Sequence, residues 1–581
     1  MSLFNAAMQC PSQPPSQQFP IATQWAYHAD LHHDDPSALE AYDAALSILP
    51  RLAALGLDIQ SRHEALTARS DRLARRAAKC AIQAGRLDKA VEFLDTGRAV
   101  FGSQLLHLRS PLDQLHNHAP ELTDRLRNIA TALERGSHRN TFAETLDNRT
   151  KITLEEETTR LARLDNEWSK AVEKARCLVG FEKNLRPSRL SSLQAAAAEC
   201  PVVILLSNDD VSHCLTVTST SVNCVAISSL PATKLRNLVY TTHAAASESP
   251  IRRSSIDESS EDFGGFSPAV KEALREWVSQ EEKRGMRFGD VIPSDDVFKS
   301  VLKTLWDKVV KPIVDFLGLE KLEDPSRLQW CPTGLFSFLP IHAAGSYGDE
   351  LAIECASDYM VSSYTPTVGS LLSPDPTPIF EPFKMMVVIQ SHGLPSTKTE
   401  LAKIEQYVPK DSLIALGIPG RTASVEAVAS RLSDVSMVHF ACHGTQDQSK
   451  PLDSGLKLED GMLLVSRIMK EPLPNGSLAF LSACETAMGA EKLPDEAMSL
   501  AASLLFAGFR HVIATMWEIR DEDGSTVTDS FYKELFRGAD GKITGQPDTS
   551  RSARALHVAV KKLRSGDVPF SGWVPFIHMG K

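Results

Sequence analysis

Two short apolar runs between Asp434 and Gly489 constrain this chain more than any other feature, because each reads as a buried strand and each ends in a reactive side chain. The first is Val435-Ser436-Met437-Val438-His439-Phe440-Ala441-Cys442-His443-Gly444, the second Ser477-Leu478-Ala479-Phe480-Leu481-Ser482-Ala483-Cys484-Glu485-Thr486. A brief apolar run bounded by turn formers is how a parallel strand covered on both faces looks, and sites in open α/β sheets lie at the carboxyl ends of such strands. His443 and Cys484 are then expected on one edge. An ordinary cysteine is mostly thiol at neutral pH, and an imidazole that takes its proton makes it a nucleophile. The pattern predicts Cys484 as attacking group and His443 as base, with the backbone N–H groups of Gly444 and Cys484 as an oxyanion hole. Taken singly, a cysteine ending a strand is more often a small core residue, and a histidine a satisfied hydrogen-bonding group. Cys442 alternates away from the cleft and is read as core.

Histidine precedes cysteine by 484 − 443 = 41 residues, close to the caspase arrangement of about 50, although the caspase signature Gln-Ala-Cys is absent. The chain resembles the CHAT domain, a caspase-like cysteine peptidase family close to separase. The resemblance rests on His439-Phe-Ala-Cys-His443-Gly, Leu481-Ser-Ala-Cys484-Glu-Thr, Ala507-Gly-Phe-Arg-His-Val-Ile-Ala-Thr-Met-Trp517, Leu394-Pro-Ser-Thr-Lys-Thr-Glu400-Leu, and the stretch from Trp330 through His342 to Gly345. It spans residues 190–581. It implies a Cys484–His443 dyad working through an acyl-enzyme, and an inactive caspase-like half ahead of the active one. His342 is then left to packing or turn hydrogen bonding. The resemblance also implies a protein substrate, in some members a gasdermin-like pore former, in defence or cell death.

At 581 residues with 43% hydrophobic content the chain has material for several domains. A net charge of −11 speaks against nucleic acid or anionic membrane as the main partner. No apolar run reaches the roughly 18 residues that span a bilayer, and the amino terminus lacks a basic n-region, so a cytoplasmic location is expected. Ten scattered cysteines with no Cys-x-x-Cys pair suggest reduced thiols and no structural zinc site, and no cofactor or metal-ligating residue is assigned.

Residues 1–20, rich in Pro, Ser and Gln, read as a flexible leader. Residues 21–185 read as helical. Leu73, Ala77, Cys80 and Ala81 line one face, Gly85 interrupts, and Leu87, Ala90, Val91 and Leu94 resume, the logic of a tetratricopeptide-like helix pair without a clean repeat. This region is either a scaffold or a docking arm that takes an activating protein or ligand.

Residues 186–380 open with a meander at Val202–Ser207, Val211–Thr218 and Val222–Ile227, then a polar loop over 241–267. Residues 381–581 alternate strands and helices, which predicts a mainly parallel sheet in a three-layer α/β domain. The expected fold class is therefore α followed by α/β, a helical repeat-like region and a caspase-like domain. In separase-like peptidases an acidic group beyond the strand after the cysteine receives an arginine, and Asp521 and Asp523 stand at that place. Arg520, if turned inward, favours an acidic or neutral residue there instead. The functional expectation is a cysteine endopeptidase held inactive by, or supplied with substrate by, its helical region. The alternative is a silent interaction scaffold of the same fold.

Overall fold

The computed structural model describes residues 2–8, 13–54, 57, 59–67, 72–100, 102–104, 113–137, 148–178, 189–227, 230–247, 250–253, 256, 267–348, 354–372, 383–391, 394–447, 451–471, 473, 475–482 and 499–581. Among these, eleven strands join in one sheet. They are β1 (Val202–Leu206), β2 (Ser212–Val217), β3 (Val222–Ile227), β4 (Arg327–Pro332), β5 (Val361–Tyr364), β6 (Met385–Ile389), β7 (Leu413–Leu416), β8 (Met437–Ala441), β9 (Leu478–Ser482), β10 (His511–Thr515) and β11 (Phe576–Gly580). Their order across the sheet is β7-β6-β8-β9-β10-β11-β5-β4-β1-β2-β3.

Strands β6 to β10 are mutually parallel where they pair. Strand β11 lies antiparallel to β10 but parallel to β5, and β5, β4 and β1 continue that reversed direction. Two half-sheets of opposite polarity therefore meet at β10-β11-β5. The central strands β6, β8, β9 and β10 are buried at all five positions, which is why each reads as an unbroken apolar run rather than an alternation. The meander β1-β2-β3 is antiparallel and forms the far edge, as its turn residues predict.

The helical region is real, but it divides. Helices α1 (Leu73–Gln83) and α2 (Leu87–Thr96) form the expected pair about Gly85, whose φ of 72° is free of cost only for glycine. They dock on the sheet. Arg75 Nη1 donates to Ser207 O at 3.0 Å, Arg98 Nη2 to Pro332 O at 2.8 Å, and Asp95 Oδ1 accepts from the Gly369 N–H at 2.7 Å. Helices Pro120–Ser137 and Asn148–Arg176 instead bury Leu126, Leu133, Leu161 and Trp168 in a second, separate core.

Two expectations need correction. The supposed leader is helical from Pro15, within Pro15–Leu31, where proline at the first helical position costs nothing and Phe19, Ala22 and Trp25 are buried. The polar stretch 241–267 is not one loop: 241–246 end a helix, Ala232–Ala246, and Ile251–Arg252 pair with Val291–Ile292, while 257–266 lie outside the described residues. Composition misleads at both places because a few buried apolar positions order a polar segment.

Helices α3 (Thr397–Ile404), α4 (Leu500–Ala507), α5 (Asp521–Leu535) and α6 (Ser552–Arg564) flank the second half-sheet. At the seam His511 Nδ1 lies 3.2 Å from His578 Nε2, and His578 Nδ1 lies 2.5 Å from Ser363 Oγ. Burial, with the nearby Arg327, Arg510 and Lys581, pushes His511 down to about 3, and burial pushes His578 down as well. Burial likewise holds His342 at about 4. These histidines are neutral when folded and bind protons when unfolded, so their contribution is complete above about pH 6.5 and falls as the pH drops toward 4, by up to about 1.4 kcal/mol per pH unit each. Half-buried Asp95, raised to about 6 chiefly by desolvation, works the other way, one group against several. Urea unfolding at pH 7 and pH 5 is expected to show a clear loss of stability at the lower pH; an unchanged or greater stability there refutes the account.

Candidate active site

Strands β8 and β9 pair in parallel with Ala441 opposite Ser482, so they end level. His443 follows β8 by two residues and Cys484 follows β9 by two residues in sequence. Cys484 lies within 483–498, outside the described residues. His443 is half-buried, and its carbonyl accepts from the Lys457 N–H at 2.8 Å. Gly444–Thr445 pairs with Gly455–Lys457, which pairs with Met462–Leu464, so a small ribbon rises from this end of the sheet. Cys442 is 1% exposed, a core residue as its alternation predicts.

Beneath this edge lies a polar cluster that reading the sequence did not single out. Glu400 on α3 is 2% exposed. Its Oε1 accepts from Ser482 Oγ at 3.2 Å, and its Oε2 accepts from Thr528 Oγ1 on α5 at 3.0 Å and lies 3.0 Å from His439 Nε2. His439, fully buried in β8, has Nδ1 3.1 Å from Tyr532 OH and stacks on Phe480 at 4.8 Å between ring centres. The bonds close in the tautomer whose Nε2–H donates to Glu400 and whose Nδ1 accepts from Tyr532. Burial raises Tyr532 well above its ordinary range, with the Glu400 charge adding to it, so its hydroxyl stays protonated to donate. One carboxylate thus ties α3, β8, β9 and α5 together, two residues before Cys484 and four before His443. The available signals were a glutamate on the buried face of α3, beside Thr397, Leu401 and Ile404, and a histidine inside an apolar strand.

The acidic candidates both have partners. Asp523 is 4% exposed and takes Arg520 in a two-pronged pair, Nε to Oδ2 at 2.9 Å and Nη2 to Oδ1 at 3.1 Å. Asp521 Oδ2 accepts from the Ser396 N–H at 2.8 Å, anchoring the segment before α3. Both sit in the first turn of α5, where carboxylates suit the helix dipole. His342 is structural: its ring nitrogens lie 2.8 Å from Tyr364 OH and 2.8 Å from Val574 O, across the seam.

The Glu400 cluster makes a direct prediction. Glu400→Ala leaves buried donors on Ser482, Thr528 and His439 without their acceptor, and is expected to cost about 3 kcal/mol or more in urea unfolding. A loss within the surface range of about 0.5 kcal/mol overturns the assignment.

Residues 299–581 match the CHAT domain family model. No curated protein matches the chain. Among solved structures, the Saccharomyces cerevisiae separase–securin complex at 2.6 Å is similar to the whole chain at 10% identity with a TM-score of 0.41. The same complex at 3.0 Å aligns at 9% identity and a TM-score of 0.40. The chain spans about half the length of that protein, 48% in each comparison. No helix among the described residues is long and apolar enough to cross a membrane.

Proposed function

Starting from a chain that carries a CHAT domain over residues 299–581, we propose that the protein is a cysteine endopeptidase. His443 takes the Cys484 thiol proton, and the thiolate attacks a peptide carbonyl. The tetrahedral oxyanion is held by the N–H groups of Gly444 and Cys484. Collapse expels the amine, which takes the proton from His443, and leaves a thioester. Water, deprotonated by His443, then releases the acid and the free thiol. The observation that supports this reading is the register of Ala441 against Ser482, which starts both segments from the same level at the carboxyl end of adjacent parallel strands. Cys484→Ala and His443→Ala are each expected to abolish cleavage of a peptide library varied at the residue before the scissile bond. The parent's Cys484 is expected to alkylate at about pH 6, where an ordinary buried thiol does not. Cleavage retained by both variants refutes the peptidase. A parent silent in both assays points to the scaffold.

For specificity, the arginine-receiving position is assigned to Asp523 with Asp521 beside it. Arg520 already fills the Asp523 carboxylate with the guanidinium geometry that a substrate arginine would use, and its side chain is 57% exposed and free to swing out. Arg520→Ala is expected to raise kcat/KM for arginine substrates, and Asp523→Asn to lower it. Equal effects on arginine and aspartate substrates overturn that assignment.

The helical region is proposed to regulate the site through α4, which begins directly after 483–498. A Cβ on Gly102 would stand 2.3 Å from the Phe506 ring of α4, so the two surfaces touch without slack. Overpacking of this kind costs about 1–3 kcal/mol. Gly102→Ala is expected to change the alkylation rate of Cys484, while Gly289→Ala, with nothing within 4 Å of its Cβ position, leaves it unchanged. Matching rates in the two variants refute the coupling.

A further inference from the structure

A cavity of about 50 Å³ lies between α6 and the edge where β5 and β11 meet. That volume holds a few waters or one small anion, since a water needs about 10–15 Å³. Its polar wall comes from α6, as Arg564, Lys561 and His557, and its apolar wall includes Tyr347, Trp573 and Phe576. The guanidinium of Arg564 sits 5.7 Å from the Trp573 ring centre and 6.0 Å from that of Tyr347. It donates to Cys355 Sγ at 3.1 Å and Ser357 Oγ at 3.3 Å. It makes no ion pair among the described residues. The nearby carboxylate, Asp358, is held by Lys321 at 3.1 Å and by the Cys355 N–H. His557 Nε2 is buried and without a hydrogen-bond partner. Burial first, then Lys561, Arg554 and Arg564, push that imidazole down to about 4.

Two features there lack their complement: a half-buried guanidinium with no ion pair among the described residues, and a buried imidazole nitrogen without a partner; exposed Lys561 adds a cation at the rim. In a chain of net charge −11, a cavity walled by cations has an evident missing charge. We propose that this cavity is a binding site for one small anion, a phosphate or carboxylate group, held by Arg564 and His557 with Lys561 at its exposed rim. A planar guanidinium already oriented by two aromatic rings suits an oxyanion, because little ordering remains to be done on binding.

The place of the cavity gives it a link to the candidate active site. Phe576 pairs with Thr515, so the cavity opens at the same edge of the sheet where β9 ends, two strand spacings or about 10 Å across from β9. Trp573 belongs to the short helix α7 (Phe570–Trp573), in which a Cβ on Gly572 would stand 2.5 Å from Asp523 Oδ2. An anion seated against Trp573 is thus one residue from the packing of Asp523. The site stands on its own geometry, whether or not Cys484 is a nucleophile.

The test is a calorimetric and thermal-shift titration of the full-length protein with inorganic phosphate, methyl phosphate and acetate at constant ionic strength. At least one is expected to bind saturably and raise Tm as RT ln(1 + [L]/Kd) requires. Arg564→Gln is expected to weaken that binding at least tenfold. Tighter binding of methyl phosphate than of acetate identifies a phosphate ligand, and the reverse a carboxylate; inorganic phosphate alone binding identifies the free anion. No saturable binding of any of the three, or equal binding by the parent and a folded Arg564→Gln, overturns the site. If Arg564→Gln does not fold, Lys561→Gln combined with His557→Gln decides it: weakened binding supports the site and unchanged affinity overturns it.

Discussion

The arrangement of the second half-sheet depends on one buried carboxylate. Glu400 draws donors from β8, β9 and α5 onto two oxygens, all within 3.2 Å. In water these groups would be satisfied separately and hold nothing in place. Inside the protein each must find its partner here or go without, and a donor left unpaired in the interior costs more than a bond gains. The consequence is geometric. The ends of β8 and β9 are tied to one point on α3, so the segments carrying His443 and Cys484 leave the sheet from a fixed level.

The second constraint is the reversal of polarity at β10-β11-β5. Parallel strands need helices on their faces, and an antiparallel junction lets two such half-sheets share one core without a crossover between them. His511, His578, Ser363 and the Gly580 carbonyl supply polar contacts through that junction, in an interior that keeps the imidazoles neutral. The same junction leaves the cation-lined cavity at its edge. The helices from Pro15 to Thr96 close over the first half-sheet and share its hydrophobic core, so this part of the helical region is built into the body of the molecule.

Much of the architecture was legible in the residues. The runs at Met385–Ile389, Leu413–Leu416 and His511–Thr515 read as strands because they are short and, His511 apart, apolar or small, and they are strands. Gly85 marked the turn between α1 and α2, which the structure places between Leu73–Gln83 and Leu87–Thr96. Strands β5 and β11 were missed. Val-Ser-Ser-Tyr is too short and polar to stand out, and Phe-Ile-His-Met-Gly carries a histidine whose partner, Ser363, is 215 residues away. His342 was expected to serve packing or turn hydrogen bonding, and its partners Tyr364 and Val574 were invisible from its neighbours.

Sequence by itself therefore determined the order of elements and the parallel run of the second half-sheet, and it set one histidine and one cysteine each two residues beyond neighbouring strands of that sheet. Local periodicity and turn chemistry act over a few residues, and those features need nothing more. Tertiary structure alone decided that Glu400 and His439 share a cluster, that Asp523 is occupied by Arg520, that the first proline-rich residues fold into a helix, and that α6 brings its cations over an aromatic cavity. Each of these depends on which buried polar group finds a partner far along the chain, and that is set by packing rather than by neighbouring residues.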